Sequence, residues 1–158
     1  MILHSLTMLI EILHKLVEQR YRRHGFKSKL LDVAPFRMHY YERRDSNSSK
    51  YLLFLHGLGT SSSTWVRTIP KLPQEWNILA LDLPGFGMSS VDDVKSVPQF
   101  EELYQSVVLF VERMVPVPFT LVGQSLGGWL AATFAARHSQ LVRHLILVNN
   151  AGIFCDGA

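Results

Sequence analysis

Val122-Gly123-Gln124-Ser125-Leu126-Gly127-Gly128 is the stretch on which the reading of this chain turns. To its left, Phe119 to Val122 is a short apolar run of strand type. To its right, Leu126 to Arg137 has the composition of a helix. A serine hydroxyl is a weak nucleophile unless it projects freely toward a base. A sharp strand-to-helix turn achieves this by lifting the side chain above the sheet edge. Such a turn crowds its neighbours, which requires glycines two residues to either side, as Gly123 and Gly127 are here. The helix that begins at the turn directs backbone N–H groups and the positive end of its dipole toward developing negative charge.

Working outward, the same alternation recurs. Tyr51 to Leu55 is a continuous apolar run, as in a strand covered on both faces, and leads directly into His56-Gly57-Leu58-Gly59. Asn77 to Leu81 is a second such run, ending at Asp82 and followed by Leu83-Pro84-Gly85-Phe86-Gly87-Met88-Ser89. Phe36 to Glu42 and His144 to Val148 are further predicted strands. Asp45 to Ser49 is a polar turn, and Trp65 to Leu72 reads as a short helix. Residues 98–115 carry Phe100, Leu103, Tyr104, Val107, Val108, Val111, Met114 and Val115 at spacings of three and four, predicting a helix with Ser96 as its cap. Strands alternating with helices imply an α/β domain built on a mostly parallel sheet with right-handed crossovers.

Taken together, the order and separation of these segments resemble the α/β-hydrolase superfamily, specifically its esterases, lipases and carbon–carbon-bond hydrolases. The residues that carry the resemblance are His56-Gly57-Leu58-Gly59, Asp82 to Ser89 and Gly123 to Gly128, within about residues 35–152. It implies Ser125 as the nucleophile, with the backbone N–H groups of Leu58 and Leu126 as an oxyanion hole. His56, Gly57, Gly59, Gly123 and Gly127 would support the loop and the turn, and Asp82 would hold its own turn. Haloalkane dehalogenases and epoxide hydrolases of similar sequence carry an aspartate where Ser125 stands. Serine therefore points to acyl transfer from an ester, a thioester or a related carbonyl.

The resemblance also defines what lies outside the chain. Its members supply serine, acid and histidine in that order. Past Ser125 stand His138 and His144. His138 closes a helix running away from the serine, about 20 Å along it. His144 opens a strand whose far end it marks, about 16 Å short. A base must approach within about 3 Å, so both read as ordinary surface or strand-start residues. Asp156 is a weak candidate for the acid. The expectation is an α/β-hydrolase fold truncated before the lid and C-terminal strands, with the histidine and the acid beyond residue 158. The apolar edge His144 to Val148 points the same way, since an open edge of that kind invites aggregation. Trp65, Phe86, Met88 and Trp129 are candidates either for pocket lining or for core.

Residues 1–25 read as an amphipathic helix preceding a hydrolase body at 30–158. Ile2, Leu3, Leu6, Leu9, Ile10, Leu13, Leu16 and Val17 share one face, and Gly25 marks the stop. Arg20, Arg22, Arg23, Lys27 and Lys29 follow. Two readings stand for residues 2–29: docking on an anionic membrane surface, or packing on the body or a second subunit. Nothing resembles a secretory leader or a membrane span, which points to a cytoplasmic protein, at most peripheral to the inner face of a membrane.

A formal charge of +3 is unremarkable, and few basic residues with no stacking platform argue against nucleic acid. The single cysteine, Cys155, excludes an internal disulfide, and no ligand spacing points to a metal or another cofactor. The expected partner is a small-molecule or lipid-like ester. A serine hydrolase, represented by a chain inactive on its own, is the leading function. The alternatives are a non-catalytic remnant or half-domain that binds a partner, and a carbon–carbon hydrolase or thioesterase of the same fold.

Overall fold

The structure is a computed structural model that describes residues 2–91, 98–116 and 118–152. Seven strands form one mixed sheet: β1 (Lys27–Val33), β2 (Phe36–Arg43), β3 (Tyr51–Leu55), β4 (Asn77–Leu81), β5 (Ser90–Val91), β6 (Phe119–Gln124) and β7 (Val142–Val148). The spatial order is β1-β2-β4-β3-β6-β7, with β5 on β2. The four strands β4, β3, β6 and β7 run parallel, and β1, β2 and β5 are attached antiparallel. From β3 the chain crosses to β4 on one side and later returns to β6 on the other. The order therefore reverses between β3 and β6, and the crevice beyond their carboxyl ends is where open α/β sheets bind ligands.

Strand alternation divides the core in two. Leu53, Leu55, Leu79, Leu81 and Leu121 face one side, where they meet Phe110 of helix α2 (Phe100–Met114) and Leu130 and Phe134 of helix α3 (Leu126–Arg137). Leu52, Phe54, Ile78, Ala80 and Val122 face the other side and meet Trp65, Ile69 and Tyr21. Every residue of β4 is buried, which accounts for its unbroken apolar sequence.

Helix α1 (Ile2–Arg23) ends where Gly25 permits. Gly25 has φ 81°, its N–H bonds to Arg22 O, and Phe26 N–H reaches back to Tyr21 O. This is a Schellman closure, completed by an edge-on contact between the Tyr21 and Phe26 rings. Tyr21 is fully buried, stacks on Tyr41 at 4.1 Å and donates its hydroxyl to Ser62 O. The last turns of α1 are thus joined to the sheet. Nearer its start, Met8, Leu9, Ile12, Leu13 and Leu16 are exposed.

Three sequence expectations are corrected, and one strand was missed. Trp65 to Leu72 is not one helix. It forms parts of two 3₁₀ turns, Ser62–Trp65 and Ile69–Lys71, the first capped by Ser61 and the second carrying a proline in its opening turn. Helix α2 opens on Gln99 in a reciprocal capping box with Glu102, whose carboxylate accepts the Gln99 N–H at 2.6 Å. Ser96 lies outside the described residues, as do Cys155 and Asp156. Strand β7 begins at Val142, so His144 is its third residue and does not open it. Strand β1 carries Lys27, Lys29 and Asp32, is largely exposed, and was hidden from any apolar signal.

Candidate active site

The turn at residue 125 sits at the end of β6, beside the loop that follows β3. Ser125 has φ 50° and ψ −117°, a backbone state that a residue with a side chain adopts only at a cost. Three main-chain bonds hold it there. Ser125 N–H donates to Val148 O, and Ser125 O accepts from Trp129 N–H and Ala151 N–H. The serine side chain makes no capping bond to α3 and is partly exposed.

The glycines are fixed by close approach. A Cβ on Gly123 would run into Gly127 O, and a Cβ on Gly127 would collide with Leu55 O and His56 O. The elbow therefore presses directly on the end of β3. Gly57 has least room on its serine side, where a Cβ would lie 3.1 Å from Ser125 Cβ and 3.7 Å from Ser125 Oγ. Leu58, exposed at the loop tip, follows Gly57, and Gly59 takes φ 69°. Leu126 is the first residue of α3, so its N–H has no acceptor within the helix. The loop after β3 and the start of α3 thus both border the Ser125 side chain.

His56 is fully buried. Its Nε2 accepts the Leu83 N–H at 2.9 Å, so the proton resides on Nδ1, which donates to Gly57 O at 2.7 Å. Burial pushes this imidazole below its ordinary pKa and keeps it neutral, against a smaller upward effect from the Gly57 carbonyl. One ring thereby ties the β3 loop to the β4 turn.

Asp82 organises that second turn. Its Oδ1 accepts Ser62 N–H at 2.6 Å, and its Oδ2 accepts Met88 N–H at 3.0 Å and His39 Nδ1–H at 2.8 Å. Burial pushes the carboxyl upward, but the His39, Met88 and Ser62 donors outweigh it and hold Asp82 below the usual carboxylate range. Gly87, at φ 59°, has no room for a Cβ because the carboxylate occupies that space.

The remaining candidates are distributed differently. Trp65 belongs to the core on the Tyr21 side, not to a pocket. Phe86 sets its ring edge against His56. Met88 and Trp129 are partly exposed, with Trp129 stacked on Phe100. His138 caps the end of α3 and bonds to the Tyr104 hydroxyl at 3.0 Å, while His144 pairs with Thr120 in the sheet. Sequence reading missed the bond from His39 to Asp82. The signal was a histidine between Met38 and Tyr40 in a predicted strand, but its partner is 43 residues away.

A strand–turn–helix serine at the switch point of a parallel sheet, faced by a glycine loop, defines the hydrolase class of α/β proteins. Residues 50–156 match the family described as alpha/beta hydrolase fold, and the chain belongs to that family. An uncharacterized protein of Mycobacterium tuberculosis is 38% identical over 135 residues, covering 79% of this chain and 38% of that protein. A monoacylglycerol lipase of Mus musculus is 34% identical over 107 residues, covering 65% of this chain and 31% of the lipase. Among solved structures, a putative lipase from Acinetobacter baumannii aligns with a TM-score of 0.83 at 29% identity, over 91% of this chain and 48% of its own. A membrane phospholipase A described as a bacterial virulence factor aligns with a TM-score of 0.82 at 29% identity, over 98% and 50%. This chain therefore spans about half of those structures and less of the curated relatives. No described helix is long and apolar enough to cross a membrane.

Proposed function

We propose that the chain is the nucleophile-bearing part of a serine hydrolase that cleaves carboxylic esters, with Ser125 forming an acyl-enzyme. The observation that carries this reading is the left-handed turn at Ser125, held between β6 and α3 with Gly57 against its side chain. The Ser125 oxygen attacks the ester carbonyl. The N–H groups of Leu58 and Leu126 receive the oxyanion, the alcohol leaves, and water then releases the acid. His56 and Asp82 take no part in proton transfer, because their hydrogen bonds are committed to the loops. The base and the acid are assigned to residues outside 1–158, in keeping with the share of its relatives that the chain spans.

Lipases among the relatives support a lipid-like ester as substrate. In this reading the segment of residues 1–25 precedes the body at 30–158 and is joined to it through Tyr21. The exposed Met8, Leu9, Ile12, Leu13 and Leu16, followed by Arg22, Arg23 and Lys27, favour contact with an anionic membrane surface. The test is fluorophosphonate labelling of the full-length protein with the modified peptide mapped. Label on Ser125, and loss of p-nitrophenyl ester hydrolysis in Ser125→Ala, are expected. An unlabelled Ser125 in an ester-hydrolysing protein would overturn the proposal.

A further inference from the structure

Among the described residues, the serine whose hydroxyl is hydrogen-bonded to a histidine ring is not Ser125 but Ser28. Ser28 Oγ lies 2.8 Å from His39 Nε2, and His39 Nδ1 lies 2.8 Å from Asp82 Oδ2. Three separate elements bring these groups together. Ser28 is on β1 opposite Tyr41 of β2, and His39, two residues from Tyr41, shares its face. Asp82 stands at the end of β4. His39 and Asp82 are both sealed from solvent at 2% side-chain exposure, whereas Ser28 is an exposed residue on the edge strand.

The order of protons follows from the partners. The Ser62 and Met88 N–H groups keep Asp82 an acceptor, so His39 holds its proton on Nδ1. The lone pair on Nε2 then faces the Ser28 hydroxyl. His39 is fixed from its main chain too, its N–H donating to Ser89 Oγ at 2.8 Å, and its ring is set edge-on against Tyr41. A serine hydroxyl, a histidine in the correct tautomer and a buried carboxylate that orients it are the three parts of an activated nucleophile.

We propose that Ser28 is a second activated serine, modified by acyl and phosphonyl donors that carry a good leaving group. With a fluorophosphonate, the Ser28 oxygen forms the new bond to phosphorus, fluoride departs, and the hydroxyl proton passes to His39 Nε2. An activated ester reacts in the same way, its leaving alcohol taking the proton from His39. Ser28 lies on the edge strand β1, away from the glycine loop and helix start that flank Ser125. Modification is therefore stoichiometric, without turnover, and restricted to donors that need little oxyanion stabilisation. This inference does not depend on the role proposed for Ser125.

The experiment is time-resolved labelling of the 158-residue chain carrying Ser125→Ala with an alkyl fluorophosphonate, followed by peptide mapping. Ser49, also exposed but without a histidine partner, is the internal reference. General-base assistance predicts Ser28 to react about 10²-fold faster than Ser49. His39→Asn keeps an amide donor for Asp82 but removes the base, and is expected to bring Ser28 down to the Ser49 rate. Equal rates at Ser28 and Ser49 would overturn the proposal, and that comparison requires no substitution near Asp82. An undiminished Ser28 rate in a folded His39→Asn chain would overturn it as well.

Discussion

Replacing Ser125 by glycine is expected to make the protein more stable, the opposite of what most substitutions do. A non-glycine residue held in a sparsely populated backbone region costs about 1–3 kcal/mol, and Ser125 sits at φ 50°, ψ −117°. Glycine relieves that strain but adds backbone freedom to the unfolded chain, at a cost of roughly 0.5–1 kcal/mol. The serine side chain makes no capping hydrogen bond and is partly exposed, so little else is lost. The net gain is about 1 kcal/mol, the strain outweighing the added freedom. Ser125→Ala is the control: it removes the same hydroxyl but keeps the Cβ, and with it the strain. Urea unfolding of the two variants side by side separates the terms. With a slope of about 2 kcal/mol per molar, Ser125→Gly should unfold about 0.5 M higher than Ser125→Ala. A glycine variant no more stable than the alanine variant would refute the idea that the turn stores strain.

Further outcomes follow from the same contacts. Asp82→Asn turns an amide N–H toward at least one of three existing donors, and taking a buried charged acceptor away from its donors costs about 3 kcal/mol, measurable by urea unfolding. Because folding lowers the Asp82 pKa, its stabilisation is complete above the unfolded value of about 3.9 and fades as pH falls through the folded value. The acid limb of the stability–pH profile should accordingly flatten in Asp82→Asn. Gly127→Ala forces a methyl group onto the Leu55 and His56 carbonyls and should cost about 3 kcal/mol in thermal unfolding, since neither backbone oxygen can yield. Co-sedimentation with vesicles rich in anionic lipid is expected for the parent chain and should be lost in a Leu9→Asp/Leu13→Asp variant. Equal binding by both would remove α1 as the contact.

How much of this was legible in the sequence depended on whether the cause was local. Strands β3 and β4 and helix α3 lie where the apolar runs placed them, because both faces of the central strands are covered and composition alone marks them. The turn at Ser125 was visible because close backbone packing leaves glycine as the fitting residue at 123 and 127. Strand β1 was not visible. Its residues are mostly solvent-exposed, and pairing with β2 makes it a strand, not burial. Trp65 and Ile69 stand four residues apart, a spacing that one helix or two short turns can supply, and in the two 3₁₀ turns each is anchored separately in the core. The link from Ser28 through His39 to Asp82 joins three distant segments, and only the register of β1 on β2 brings the first two together.

The three main-chain bonds at Ser125 bear on the sequence of events in folding. Two of them come from Val148 and Ala151, at and just past the end of β7, and not from the segment that contains the serine. The bend cannot be locked while the chain up to residue 124 folds by itself. It must wait for the far end of β7, at Val148, to align with β6. The shape of this turn thus depends on its neighbour, latched from the adjoining strand as well as from its own helix.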